Sequence, residues 1–456
     1  MHTPHTLFVT AVALVATAVT APQVAARAEA APPPGAYYVQ SDVTGLNASD
    51  ASGAVEQRNP KGNEGRQQWT LRADGTAHVL ENTDAPGTCL GRSGDQAATV
   101  PCTGADAPWE ITASGADRHT LRAPGTDRHL TLAPQPAGAT HPARLAVGSA
   151  GPLAAWYLTP VTPTTRPMPP AGERTLDQVT FLTAHNAYAN GVDGGFAPPF
   201  VTLFPNQSRG IQRQLADGVR GFMLDLHQTP DGALLCHNSC TLVSRPVALW
   251  VDLQRMVDFL KAHPDQFVTV FLEDNVDPGV LRSELDRVAG LSDVLYRPDR
   301  TGVRQNGWPR MADLVAANQR LLIFSDGSRA ADRSAGLTRD TFGVMYQSEW
   351  TVENHWSMGS GVGTSDWSCY SRWYGPHTNI PLTWTEGAFR PLFVMNHFRD
   401  APVAGTIGTD NAKLTDRARR FCQPAARKKP TFLAVDRYEL GDATASVDAL
   451  NTYVYP

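Results

Sequence analysis

Charged residues are scarce in this 456-residue sequence, where they make up 18% instead of the roughly 25% typical of soluble proteins. Beyond the N-terminal segment, no apolar run reaches the ~18 residues that a membrane helix requires. We therefore expect a mature protein without a transmembrane segment. The net charge of -5 provides no overall basic field, which argues against nucleic acid as a partner. An anionic substrate would have to be met by local groups.

Cysteines are also few, whereas 38 Gly and 35 Pro indicate a loop-rich globular protein. The six cysteines are an even number, which favours disulfides if the compartment is oxidising. Other connectivities stay open, but proximity along the chain favours three pairs. These are Cys89 with Cys102, Cys236 with Cys240, and Cys369 with Cys422.

The first thirty residues have the pattern of an export signal. Residues 7–21 are almost wholly apolar and too few to span a bilayer, and Ala28-Glu29-Ala30 supplies an A-x-A cleavage site. A buried N-terminal helix is the alternative interpretation. We expect residues 1–30 to be a signal peptide and the mature protein to be secreted.

A proline-rich stretch divides the rest of the chain. Residues 161–173 contain closely spaced prolines and no apolar periodicity, which is typical of a stiff linker. We therefore expect one domain over residues 36–160 and a second, larger domain over residues 174–456.

The first domain repeats a short unit in which an aliphatic residue closely follows a tryptophan. The copies contain Trp69, Trp109 and Trp156. Units too small to bury a face alone predict a closed, threefold all-β arrangement. The pattern resembles the ricin-type β-trefoil, whose repeats end in Q-x-W, as Gln67 and Trp69 do here. That resemblance implies carbohydrate binding, and a structural domain with three core tryptophans is the alternative.

From residue 174, short apolar runs alternate with amphipathic stretches, as in βα units around a parallel sheet. The length fits a distorted, TIM-like βα barrel, which makes the overall class α/β with a preceding all-β domain. Seven strands are predicted, at 179–183, 219–224, 267–272, 320–324, 343–346, 392–395 and 431–435.

Polar residues follow these strands, where a barrel carries its active-site rim. Helix capping would explain any one of them, but it explains the whole series poorly. They are His185, Asn186, Asp225, Glu273, Asp326, Gln347, Asn396, His397 and Asp436.

Four segments of this domain carry a resemblance to a known family. They are FLTAHN at 181–186, GVRGFMLD at 218–225, LCH at 235–237 and FLEDN at 271–275. Their order and spacing resemble the X region of phosphatidylinositol-specific phospholipase C (PI-PLC). The resemblance implies an enzyme that meets inositol phospholipids at a membrane surface and cleaves them to diacylglycerol and a cyclic or open inositol phosphate.

The resemblance also assigns catalytic roles. His185 would be the base that acts on the inositol 2-hydroxyl, and His237 the acid that faces the diacylglycerol oxygen. Imidazole suits both roles because its ordinary pKa is about 6.5. Asp436, on the last strand, would hold His185 in the correct tautomer. A capping His185 and a surface His237 are the alternative.

The same resemblance implies bound Ca²⁺. Calcium-dependent members have Asp where metal-independent members have Arg, and this chain has Asp225 there. Asn186 and Glu273 match further ligands, which gives the all-oxygen set that Ca²⁺ prefers. Animal enzymes have a carboxylate where this chain has Met223, so water or Asp274 would complete the shell. A hydrogen-bonded polar rim without metal is the alternative.

Two rival functions remain open. A glycerophosphodiester phosphodiesterase also uses a barrel, paired histidines and a metal, but it typically shows His-Arg after the first strand instead of His185-Asn186. A non-catalytic carbohydrate-binding or surface-binding protein is the second rival, and the retention of both histidines argues against it.

Two further segments are noted. Residues 350–373 contain four tryptophans among Gly and Ser, which favours either insertion into a lipid interface or a lid folded onto the barrel. Arg427, Lys428 and Lys429 are interpreted as a solvated face at a helix end.

Overall fold

The computed structural model describes residues 31–115, 117–134, 143–193, 205–236, 240, 246–373 and 380–455. The predicted signal peptide, residues 1–30, and the predicted acid His237 lie outside the described residues.

Twelve antiparallel strands form the N-terminal domain. Strand β1 pairs with both β4 and β12, and β11 pairs with β7, so the sheet folds back on itself. The predicted all-β character is therefore confirmed. The strands are β1 Gly35–Ser41, β2 Asn47–Ala51, β3 Ala54–Arg58, β4 Gln68–Asp74, β5 Ala77–Asn82, β6 Thr88–Ser93, β7 Gln96–Pro101, β8 Glu110–Gly115, β9 Arg118–Arg122, β10 His129–Leu132, β11 Leu145–Gly148 and β12 Trp156–Pro160.

The three repeat tryptophans form the centre of this domain, and all three are fully buried. Each indole nitrogen donates a hydrogen bond to a main-chain carbonyl, so burial leaves no indole N–H unpaired. The acceptors are Ala48, Leu90 and Leu130, at 3.0, 2.8 and 2.9 Å. These acceptors lie on β2, β6 and β10, which are four strands apart. The predicted threefold repeat is thus a repeat of four-strand units.

The stretch after β12 is attached to the second domain. Strand β13 (Arg166–Pro167) pairs with Tyr453–Val454, and the amide of Met168 donates to the carbonyl of Thr452 at 3.1 Å. Part of the predicted linker therefore runs along the C-terminal strand.

The second domain alternates strands and helices. Its strands are β14 Phe181–Ala184, β15 Gly221–Thr229, β16 Gly232–Leu235, β17 Val247–Ala248, β18 Val268–Asn275, β19 Leu321–Ser325, β20 Val344–Tyr346, β21 Thr351–Glu353, β22 Leu392–His397, β23 Phe432–Val435 and β24 Tyr453–Val454. Its α-helices are α1 Ile211–Ala216, α2 Leu249–Ala262, α3 Pro278–Asp286, α4 Leu291–Val294, α5 Val303–Asn306, α6 Met311–Ala316, α7 Arg329–Ala335, α8 Gln347–Trp350, α9 Ala404–Asn411, α10 Leu414–Arg417, α11 Gln423–Ala426 and α12 Ala443–Leu450. A π-helical turn, Ala418–Cys422, joins α10 to α11.

Eight of these strands form a parallel path that follows chain order, and the last strand, β23, pairs with the first, β14. The path ends at β20 and β21, which share no ladder in the described part of the chain. This leaves one open seam, with α8 connecting its two edges. The predicted α/β class is confirmed. Strand β21 was not predicted, because only one of its three residues, Val352, is apolar, whereas the equally short β20 is apolar throughout.

The three predicted disulfide pairings are present. The interpretation of Lys428 and Lys429 as solvated is wrong, since both are buried below β23 and their amines donate to main-chain carbonyls. Burial lowers the pKa of Lys429 to about 7. No helix in the described ranges combines the length and apolarity needed to cross a membrane.

Candidate active site

Alternate residues of the parallel strands fill the interior of the barrel. One apolar cluster takes a side chain from each of several strands, namely Phe181, Met223, Phe271, Phe324, Val394 and Phe432. Because strand side chains alternate between faces, the residues two or four positions later project to the same side, at the C-terminal ends of the strands. These residues, together with Glu353 on β21, are called the mouth: His185, Asp225, Glu273, Asp326, Glu353, Asn396 and Asp436.

His185 and Asp436 are brought together in the mouth. The Nδ1 atom of His185 lies 2.8 Å from Oδ1 of Asp436, whose side chain is 1% exposed. Asn206 donates to the same Oδ1 at 2.9 Å, and Gln207 donates to the carbonyl of His185 at 2.8 Å. With the carboxylate as acceptor, Nδ1 carries the proton and Nε2 keeps its lone pair.

The ring of His185 is also held by stacking. Phe398, which follows β22, stacks on it with centroids 3.5 Å apart and the two planes inclined by 4°. The imidazole is therefore fixed by a hydrogen bond in its plane and by an aromatic face. Its side chain keeps 17% exposure at the mouth.

Asp225 and Glu273 are direct neighbours on adjacent parallel strands. Asp225 is 6% exposed, and the hydroxyl of Tyr188 donates to its Oδ2 at 3.0 Å. Burial first, and then the nearby Glu273 carboxylate, raise the pKa of Asp225 to about 7. Two carboxylates held together in this way repel each other, and a cation between them would relieve the repulsion.

Asn186 sits beside this pair in a left-handed backbone conformation, with φ of 45°. Asn tolerates this region better than most residues. The residue is 2% exposed, and its side-chain amide makes no hydrogen bond to a described residue.

The three predicted metal ligands are oxygen donors, which is the chemistry that Ca²⁺ prefers. The described residues contain no group of three His, Cys, Asp or Glu arranged to hold a metal, so the set consists of two carboxylates and an amide. Asp274 does not join it, because its neighbour Glu273 takes the mouth face. The Asp274 carboxylate accepts instead from Arg339 and Ser325, at 2.7 Å each. Met223 packs in the apolar interior.

One cation reaches the mouth from a loop. Arg372 donates through Nη1 to both oxygens of Glu353, at 3.0 Å each, and its Nη2 lies 4.0 Å from Oδ2 of Asp326. Glu353, Asp326 and Glu273 raise the pKa of Arg372, in that order with Glu353 the largest cause. The side chain is 25% exposed, and neither Nε nor Nη2 donates a hydrogen bond to a described residue. No sequence pattern indicated Arg372.

Two other strand-end residues support Arg372 by holding its partner Glu353. Gln347 donates to Oε2 of Glu353, and Asn396 donates to Oε1 at 2.6 Å. The carboxylate is thus saturated with donors and fixed in place.

His397, the neighbour of Asn396, points away from the mouth. It is 1% exposed, and its Nε2 donates to the carbonyl of Asp410 at 2.9 Å. Burial first, and then Arg417, lower the pKa of His397 to about 3. It is a neutral structural histidine.

The segment that leads to His237 starts next to Asp225. The amide of Cys236 donates to the carbonyl of Asp225 at 3.3 Å, and Cys236 is bonded to Cys240. His237 itself lies outside the described residues.

Exposed apolar side chains lie on loops at the mouth end of the barrel. Among the described residues, the large exposed ones are Val192, Trp356 and Val362. Trp356 also stacks on His355, which stacks in turn on Tyr370. The other tryptophan at the start of this segment, Trp350, is buried, so the segment mixes packed and exposed aromatic residues.

Comparisons with known proteins bear on this domain. A PI-PLC X domain-containing protein of Arabidopsis thaliana is 28% identical over 281 residues, which cover 60% of this chain and 62% of that protein. PI-PLC X domain-containing protein 1 of Arthroderma benhamiae is 26% identical over 185 residues, which cover 40% of this chain and 56% of that protein. An uncharacterized secreted protein of the same fungus is 22% identical over 285 residues, covering 60% of each protein. The chain thus spans about 60% of the length of the curated relatives it matches.

Solved structures give weaker likenesses. The Staphylococcus aureus phosphatidylinositol-specific phospholipase C is 10% identical with a TM-score of 0.39, covering 62% of this chain and 94% of that one. A ricin B-like lectin of Macrolepiota procera, in complex with lactose, is 19% identical with a TM-score of 0.23, covering 27% of this chain and 93% of that one. Residues 172–359 match the family described as PI-PLC X 1, and this match confirms the predicted resemblance of the chain to the phosphatidylinositol-specific phospholipase C X family.

Proposed function

We propose that the chain is a secreted phosphodiesterase that cleaves phosphatidylinositol-type phospholipids to diacylglycerol and a cyclic or open inositol phosphate. The observation that carries the proposal is the pair His185–Asp436 at the mouth, with Nδ1 and Oδ1 2.8 Å apart, in a chain whose residues 172–359 match the PI-PLC X family. The folds that go with this proposal are a ricin-type trefoil followed by a distorted TIM-like barrel.

In the proposed reaction, Nε2 of His185 removes the proton of the inositol 2-hydroxyl, whose oxygen attacks phosphorus. The bond from phosphorus to the diacylglycerol oxygen breaks, and His237 protonates the departing alkoxide. Asp436 keeps the proton on Nδ1 of His185 and stabilises the imidazolium that forms. General acid–base help of this kind accelerates a reaction by roughly 10² to 10⁴-fold.

Ca²⁺ is part of the proposal. Asn186, Asp225 and Glu273 would hold it, and when bound it would neutralise phosphate charge and lower the pKa of the attacking hydroxyl. The mutual repulsion of the neighbouring carboxylates Asp225 and Glu273 supports this assignment.

Arg372 is proposed to contact the head group or its phosphate. Glu353 holds Nη1, and Nη2 lies 4.0 Å from Oδ2 of Asp326 at the mouth. A guanidinium presents paired donors that suit phosphate or hydroxyl oxygens.

The mouth is proposed to face a lipid surface. Trp356 is 44% exposed and Val362 is 68% exposed on the same loop, and both would enter the interface between head groups and acyl chains. Carbohydrate binding by the N-terminal domain belongs to the proposal as well, as a second contact with a cell surface.

The test is a head-group panel. Wild-type protein, His185→Ala and the control His263→Ala, which changes an exposed histidine after α2, are incubated with phosphatidylinositol vesicles and with soluble glycerophosphodiesters, with and without a calcium chelator. We expect water-soluble inositol phosphate from wild type and His263→Ala only. We also expect the chelator to suppress its release.

Each other outcome has a defined meaning. Cleavage of glycerophosphodiesters alone would favour a glycerophosphodiester phosphodiesterase. Release that the chelator does not affect would refute the metal. If no phosphodiester is cleaved, the barrel is a binding module and the proposal fails.

A further inference from the structure

The N-terminal domain contacts the second domain on both sides of one disulfide. The carbonyl of Pro60 accepts a hydrogen bond from the amide of Cys369 at 3.0 Å. Gly62 packs against the main chain of Arg420, two residues before Cys422. Since Cys369 and Cys422 are bonded to each other, loop 60–62 touches the chain at both ends of that cross-link.

The contact at Gly62 leaves no space for a side chain. A Cβ atom at this position would lie 1.7 Å from the carbonyl oxygen of Arg420 and 2.5 Å from its carbonyl carbon. Both are main-chain atoms, which cannot rotate aside as a side chain does. Only glycine allows the two domains to approach this closely.

Buried polar contacts hold the same interface. Gln40 is fully buried, and its Nε2 donates to the carbonyl of Ala425 at 2.8 Å. Arg427 donates to Oγ1 of Thr159 at 3.1 Å and to Oδ2 of Asp117 at 3.2 Å. Separation of the domains would break the hydrogen bonds from Gln40 to Ala425 and from Arg427 to Thr159 and Asp117, so the contact resists opening.

The disulfide connects this contact to the segment that leads to the mouth. Cys369 is three residues before Arg372, whose amide donates to the carbonyl of Glu353 at 3.0 Å. Two routes therefore lead from loop 60–62 to Arg372. The hydrogen bond between Pro60 and Cys369 lies three residues of chain from Arg372, and the Cys369–Cys422 cross-link ties the same segment to the chain beside Arg420, which Gly62 contacts. Every residue on these routes is within the described part of the chain.

We propose that the N-terminal domain positions Arg372, with Pro60 acting directly on Cys369 and Gly62 acting through the Cys369–Cys422 disulfide. This inference rests on the proposed function only for its kinetic readout. The N-terminal domain is then part of the support of the mouth, whatever else it binds.

The test compares two alanine substitutions in the N-terminal domain of the full chain. Gly62→Ala introduces the clash with Arg420. Gly151→Ala is the matched control, since its Cβ would meet nothing within 4 Å and its φ of 165° is extended backbone. We expect Gly62→Ala to lower kcat/KM by about 10- to 100-fold, mainly through KM, because a displacement on the order of 1 Å is enough to spoil orientation. Gly151→Ala should leave kinetics unchanged.

A double-mutant cycle with Arg372→Met tests the route. If loop 60–62 acts through Arg372, Gly62→Ala should cost nothing further in the Arg372→Met background. Full additivity of the two losses would overturn the proposal. Gln40→Leu, which removes the donor to Ala425 without a steric clash, replaces Gly62→Ala if that variant does not fold.

Hydrogen exchange separates this inference from the proposed function. In Gly62→Ala, the amides of Cys369 and Arg372 should exchange at least about tenfold faster than in wild type, because the contacts that protect them are loosened. Unchanged exchange in a folded variant would refute the positioning role. If wild type cleaves no phosphodiester, the proposed function fails, and the exchange result alone decides this inference.

Discussion

The central tryptophans of the N-terminal domain and the carboxylates at the mouth of the barrel differ in how well their buried polar atoms are paired. In the N-terminal domain, each of the three central tryptophans has its indole N–H paired to a carbonyl at 3.0 Å or less. In the barrel, Glu353 is saturated with donors, but the mouth also holds carboxylates whose charged form is disfavoured by burial. Burial raises the pKa of Asp225 to about 7 and that of Asp326 to about 6, and Oδ2 of Asp436 is buried without a partner among the described residues. The first pattern stabilises a fold, and the second prepares a site.

The largest expected effect concerns the His185–Asp436 pair at the mouth of the barrel. Asp436→Asn should lower kcat by about 10³- to 10⁴-fold, because an amide no longer fixes the His185 tautomer or stabilises its imidazolium. The thermal midpoint should change little. The matched control, Asp84→Asn on an exposed loop of the N-terminal domain, should leave kcat unchanged. Equal kcat in the two variants would contradict the role of Asp436.

The next largest effect concerns the core of the N-terminal domain, where a substitution should lower stability. Trp109→Ala should lower the free energy of unfolding by about 3 to 5 kcal/mol, since it empties a fully buried site and orphans the Leu90 carbonyl. Denaturant titration measures this loss. Trp356→Ala, at an exposed tryptophan, should lose less than about 0.5 kcal/mol. Similar losses from both substitutions would refute the assignment of Trp109 to the core.

A metal titration tests whether the buried carboxylate of Asp225 at the mouth binds Ca²⁺. Asp225→Asn should raise the Ca²⁺ concentration needed for half-maximal activity by about 10- to 100-fold, because the site loses one anionic ligand. Calorimetry with Ca²⁺ alone should show the same loss of affinity. Asp50→Asn in the N-terminal domain is the control. Unaltered calcium dependence in Asp225→Asn would exclude this residue from the site.

The smallest expected effect concerns Lys429, which is buried at the end of the barrel opposite the mouth. Folding lowers the pKa of Lys429 from 10.5 to about 7, so between those values the unfolded chain binds more protons and stability rises with pH. Below about pH 7, both states are protonated and this contribution to the slope vanishes. The slope from this group is at most about 1.4 kcal/mol per pH unit.

Unfolding at pH 7, 8 and 9 would measure this slope, and Lys429→Met should reduce it. The only lysine in residues 31–160 is Lys61, which is partly exposed beside Glu64, so Lys61→Met serves as the control. An undiminished slope in Lys429→Met would contradict the buried amine.

Periodicity predicted much of the fold because it reports burial. Seven of the eight parallel strands were predicted to begin within two residues of their observed starts, and their C-terminal ends pointed to the mouth. Strand parity within the structure then separated neighbours that the sequence alone had grouped. It places Asn396 at the mouth and His397 outside it, and does the same for Glu273 and Asp274.

Residues that reach the mouth from loops were not predicted from the sequence. Phe398 and Arg372 reach the mouth from loops, and nothing in their local sequence specifies where those loops run. Lys428 and Lys429 were misjudged because lysine is seldom buried. Their amines satisfy carbonyls that only the tertiary fold brings near.

The open seam between β20 and β21 affects how the barrel responds to the size of its substrate. A closed ring of strands has a fixed circumference, since widening it would break a ladder of hydrogen bonds. Here no ladder joins the two edges in the described part of the chain, and they are held by the short helix α8, by the hydrogen bond from Gln347 to Glu353 and by side-chain packing. Arg372 and Glu353 lie on the β21 side of this gap, and Asp326 lies on the other side, past β20. Nη2 of Arg372 is 4.0 Å from Oδ2 of Asp326. Under the proposed function, we expect head groups with added substituents to be accommodated most easily in this direction, where no strand ladder has to break.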